Sequence, residues 1–157
     1  MTRYDWLLFL HIAGAFVVLG GATVAGTFNI FALRRERASD IVLLYRLVRF
    51  AAVAIPVGMV VALAFGLWLV HEAGYGWGEA WIVIALVLWV VANALGGIGG
   101  KREKETRELA ERLRAEGDMV TPELHARLRD PVTLALSWGS GLAVLAILAL
   151  MIWKPGA

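Results

Sequence analysis

The chain has 157 residues, 60% of them apolar, and a formal net charge of only +2. Soluble domains hold roughly 45–50% apolar residues, so a water-soluble globule is excluded, and so weak a net charge excludes a nucleic-acid surface. With no cysteine, disulfides, iron–sulfur clusters and thiolate metal sites are excluded too.

The first element is the uncharged run 6–33, WLLFLHIAGAFVVLGGATVAGTFNIFAL, longer than the ~20 residues needed to cross a bilayer. Asp5 beside Arg3, the length of the run and the lack of a small-residue cleavage site make it a retained helix rather than a secretory signal. His11, Gly14, Val18, Gly21 or Ala22, Ala25 and Asn29 recur at steps of three and four. That stripe of small and polar residues should face other helices, leaving Phe9, Phe16 and Phe31 to lipid.

A basic link, 34–49, follows. Ser39 or Asp40 is a candidate N-cap there, and the helix it starts can run on into a second span, giving a helix over 40–70. Pro56 should kink that helix, and Gly58, Ala62 and Gly66 form a small-residue packing face like that of Gly14 and Gly21. The loop 71–79 carries no basic residue, and Trp68, Tyr75, Trp77 and Trp81 should form an interfacial belt.

The third span is 80–98, with GGIGG at 96–100 marking a bend. Residues 101–130 are soluble in character, with opposite charges four apart at Lys101–Glu105, Glu103–Arg107, Lys104–Glu108 and Arg112–Glu116. Gly117 is a stop, Thr121-Pro122 opens a short helix, and Asp130-Pro131 opens the fourth span, 132–153. Leu109 and Leu113 should pack on Leu124 and Leu128. The expected fold is therefore all-α: a single domain over 1–157, an integral membrane four-helix bundle with a short helical extension between the third and fourth spans.

Thirteen of the fifteen Lys and Arg residues lie in the links 34–49 and 101–130. The positive-inside rule makes those links cytoplasmic and puts both termini outside.

Chemistry is sparse. His11 lies roughly 6 Å along the axis from Leu7, near the outer end. His71, Glu72, Asp5 and Glu79 lie on the same side, whereas His125 does not. Three readings compete: His11 as an axial haem ligand, with His71 as a second cofactor candidate; a metal ion held by His11, His71 and Glu72; or a packing histidine bonded to a neighbouring helix. Asn29, Asn93, Ser137 and Ser140 are candidate interhelical hydrogen-bonding groups in the inner half of the bundle. No catalytic residue is visible, since nothing matches a phosphate loop, a hydrolase triad or a zinc-protease motif.

LHIAGAFVVLGG, residues 10–21, resembles the first helix of a group of bacterial four-helix membrane proteins. The group includes the membrane protoporphyrinogen oxidase, the copper-resistance D domain and the membrane part of cytochrome-linked urate oxidases. With FNIFALRR at 28–35 and GLWLV at 66–70, the chain most resembles a family of predicted integral membrane proteins, a domain of unknown function. The resemblance covers nearly the whole chain and implies haem near His11. Two positions depart from the oxidases: Val18 stands in place of a Trp, and no lysine lies within a span.

The resulting expectation is a bacterial inner-membrane protein that binds haem b, or a metal ion, through His11 for electron transfer or cofactor handling. Its partners would be the lipid bilayer and a second copy or a redox partner. The alternative is a non-catalytic structural, oligomeric or accessory protein, and a third reading is a small-solute carrier or channel.

Overall fold

A computed structural model describes residues 2–156. It contains α1 (Arg3–Ala32), α2 (Ala38–Glu72), α3 (Ala80–Ala115), α4 (Pro122–Leu128) and α5 (Pro131–Trp153). Among the described residues the only β feature is an isolated bridge between Arg37 and Met119. Four helical stretches, α1, α2, α3 and Pro122–Trp153, are long and apolar enough to cross a membrane. The fold is thus an all-α four-helix membrane bundle.

Local chemistry explains most helix ends. At the start of α1, Thr2 Oγ1 accepts from Asp5 N at 3.3 Å and Asp5 Oδ2 accepts from Thr2 N at 2.7 Å. This reciprocal cap also sets an acid at the positive end of the helix dipole. Thr121 and Asp130 cap α4 and α5 as expected, each with Pro in the first turn. α3 ends before Gly117, whose φ of +133° few other residues adopt.

α3 runs as one helix through GGIGG to Ala115. Gly96 comes close to α5, since a Cβ there would lie 3.3 Å from Ser140 Oγ, whereas one on Gly99 would make ordinary contact, 3.7 Å from the Leu136 Cβ. One expectation is corrected: neither Ser39 nor Asp40 caps α2. Arg37 occupies the N-cap position without a side-chain bond, and the cap arrives from a distant loop, described below. Pro56 lies inside α2, which continues on both sides of it.

The helices associate as two hairpins, α1 with α2 and α3 with α5, joined by contact between α2 and α3. Three apolar clusters stack along the bundle. At the basic end, Ile41, Val42 and Tyr45 of α2 meet Ala110 of α3 and Leu124 and Leu128 of α4, with Leu109 and Leu113 packed against them. The middle joins Val18, Met59, Ala92 and Ala143, one residue from each span. At the opposite end Val70, Trp81 and Ile82 form the third cluster. Trp81, expected in the interfacial belt, is only 3% exposed; Trp68 and Trp77 remain on the surface. Tyr75 meets Trp81 edge-on, and Lys154 Nζ donates to Tyr75 Oη at 2.9 Å, tying the end of α5 to the α2–α3 loop.

Candidate functional site

The α1–α2 seam carries the candidate site. A Cβ on Gly14 would lie 2.7 Å from Ala62 N, and one on Gly58 would lie 2.8 Å from Gly14 O. A Cβ on Gly21 would strike Ile55 at 2.7 Å. Only glycine lets these backbones approach so closely, so the sequence spacing of four becomes contact between main chains. One turn from Gly14 toward the N-terminus of α1, His11 enters the same seam. A Cβ on Gly66 would sit 2.9 Å from both Cε1 and Nδ1 of the His11 ring. Gly66 therefore provides the flat floor on which the imidazole lies.

The ring's Nδ1–H donates to the backbone carbonyl of Ala62 at 2.7 Å. A carbonyl only accepts, so the bond fixes the tautomer: Nδ1 carries the proton, and in the neutral ring Nε2 keeps its lone pair. His11 is partly buried, with Nδ1 anchored in the seam.

The other polar groups at that end of the bundle do not join it. His71 is exposed at the end of α2. Glu72 lies 3.7 Å from the Arg3 guanidinium. Asp5 is committed to the α1 cap, and Glu79 accepts from Gly76 N and from Trp81 Nε1. Among the described residues no three His, Cys, Asp or Glu side chains gather as a metal-ion site would need. The His11, His71 and Glu72 set is not brought to one point, because each carboxylate has its own local partner.

The polar residues of the spans separate. Asn93 Nδ2 donates to Trp89 O on its own helix, and Ser140 Oγ donates across to Ala92 O at 3.0 Å. Ser137 lies beside Gly99. Asn29 meets none of these and instead donates through Nδ2 to Glu103 Oε1 at 2.8 Å.

Glu103 is the residue that pattern reading missed, since it was assigned to Arg107 one turn along α3. Asn29 Oδ1 is buried without a partner.

With this geometry in view, comparison with known proteins adds one finding. Residues 5–155 match the model of a family described as "Predicted integral membrane protein (DUF2269)". No curated protein and no solved structure matches the chain.

Proposed function

The chain belongs to the DUF2269 family of predicted integral membrane proteins, and from that premise we propose that it binds a b-type haem through Nε2 of His11. Its role on this reading is electron transfer or cofactor handling. One observation carries the proposal: the 2.7 Å bond from His11 Nδ1–H to Ala62 O, which leaves the Nε2 lone pair of the neutral ring to a ligand. Ligating histidines characteristically donate their second ring N–H to a carbonyl, which fixes ring orientation and raises the basicity of the ligating nitrogen. The donor set fits haem better than a bare metal ion, because a macrocycle supplies four ligands of its own and asks the protein for as few as one.

Haem, when bound, would bring one-electron chemistry to this position. The chain's part is to hold the imidazole. Gly66 gives the ring room, Ala62 O sets its tautomer, and the Gly14–Gly58 contact keeps the two helices from parting.

We further propose that the links 34–49 and 101–130 face the cytoplasm of a bacterial inner membrane, with both termini outside. The support is the concentration of thirteen of fifteen basic residues in those links. His11 then lies toward the outer face.

A second reading is favoured by the tightness of the same contact. There His11 is interhelical glue in a non-catalytic, oligomeric or accessory protein. An absorption spectrum separates the two. Full-length protein from a haem-sufficient host should show a Soret band that His11→Ala abolishes while helical circular dichroism is kept. A folded, haem-loaded preparation without the band, or a band that survives His11→Ala, overturns the haem assignment. A colourless protein in which His11→Ala only lowers the melting temperature establishes the glue.

A further inference from the structure

At the basic end, well away from His11, a groove of about 940 Å³ opens between α2 and the extension of α3. Its rim carries Arg46, Arg49 and Arg107 against a single carboxylate, Glu111. Arg114 continues the rim in an adjoining hollow that Arg46 and Glu111 share. Glu111 does not satisfy the cluster. Its nearest oxygen is 3.7 Å from Arg107 Nε, beyond hydrogen-bonding reach, and that Nε is buried without a partner. Three guanidinium groups against one carboxylate leave the rim with surplus positive charge, which favours an anion.

The groove wall is apolar. Phe50, Val53 and Val57 line it and are 79%, 66% and 56% exposed, so no other part of the chain covers them. Arg46 and Val57 are eleven residues apart on one helix, a rise of roughly 16 Å. Half of the ~30 Å hydrocarbon core is about the same distance. Val57 also neighbours Gly58, which packs on α1 in the middle of its span. The wall thus runs from the headgroup level to the bilayer centre, the depth of one leaflet.

We propose that this groove is a binding site for one anionic phospholipid, its phosphate held among Arg46, Arg49 and Arg107 and one acyl chain laid along Phe50 to Val57. Guanidinium forks match phosphate oxygens geometrically, and basic pockets between membrane helices select anionic headgroups by charge. A zwitterionic lipid offers the same chains without the net charge, and free phosphate offers the charge without the chains. The site requires both. It is independent of the haem assignment.

The test uses the full chain in detergent, mixed with phosphatidylglycerol or with phosphatidylcholine of identical chains, and counts retained lipid by native mass spectrometry. Phosphatidylglycerol should be retained selectively, and equal molar inorganic phosphate should not displace it. Arg46→Gln with Arg107→Gln should weaken retention by about thirtyfold, the order expected when two basic groups leave an anionic contact. The paired Arg→Lys variant should keep most of it, which separates charge from folding. Val53→Trp, which fills the wall and leaves every charge in place, should also lose the lipid. Equal retention of both lipids, indifference to the Gln pair or to Val53→Trp, displacement by inorganic phosphate, or failure of the Lys pair to bind would each overturn the proposal.

Discussion

A methyl group at residue 14 would meet the Ala62 nitrogen at 2.7 Å and the Gly58 oxygen at 3.0 Å, both main-chain atoms unable to swing aside. A methyl at residue 20, one turn and a half further on, meets nothing within 4 Å. The two glycines look alike in sequence and should behave oppositely. Gly14→Ala should cost about 1–3 kcal/mol as the helices are forced apart. Gly20→Ala should be neutral or gain up to about 1 kcal/mol from the better helix former. Reversible unfolding of both variants in one detergent checks the pair, and equal effects would refute the described seam. The same contrast explains why Gly66 matters to His11, whose ring occupies the space a side chain there would fill.

At the scale of elements, the start of α2 is held by a residue far from it in sequence. Asp118 accepts from Ser39 N at 2.6 Å and from Ser39 Oγ at 2.7 Å, and its own carbonyl accepts from Ala38 N. Asp118 has a φ of +60°, an uncommon backbone state that presents the carboxylate to the helix end. The bond from the Ser39 hydroxyl, first among several causes, lowers its carboxyl below the ordinary value of 3.8. A depressed folded-state value means that this stabilisation is present above the ordinary carboxylate range and disappears as pH falls through the lowered one. Asp118→Ala should therefore lower the melting temperature at pH 7, and the gap to the wild type should close in strong acid. A gap that stays constant across pH would contradict the carboxylate cap.

Those contacts mark the boundary of what the sequence discloses. The caps at Thr121 and Asp130 are legible because donor and acceptor lie within three residues. The faces of α1 and α2 are legible because small and polar residues recur at steps of three and four. Asp118 with Ser39, at a separation of 79 residues, and Asn29 with Glu103, at 74, leave no local trace. Glu103 reads as an ordinary partner for Arg107, and only tertiary packing redirects it. Similarly, His11 is identifiable as the one histidine inside a span, whereas its acceptor, Ala62 O, is a backbone atom that composition cannot advertise.

For the molecule as a whole, charge asymmetry and helix pairing act together. The basic links, the short α4 and the adjoining ends of α1, α2 and α3 build one packed cap, whose core holds Ile41, Val42 and Leu124. Because the chain has no cysteine, single cysteines report orientation without background. Cysteine at Ser39 or Thr121 should resist a membrane-impermeant thiol reagent in intact cells, and cysteine at Gly74 or Gly78 should react. The reverse pattern would invert the topology inferred from the positive-inside rule. Both functional readings require the α1–α2 hairpin to hold a single imidazole in one tautomer, and haem requires its other nitrogen to be bare. Nitrogen-15 spectra of histidine-labelled protein, with His71 and His125 substituted so that only His11 reports, measure this directly in the haem-free state. A protonated, slowly exchanging Nδ1 beside an unprotonated Nε2 is the predicted result; a proton on Nε2 with Nδ1 bare would contradict it.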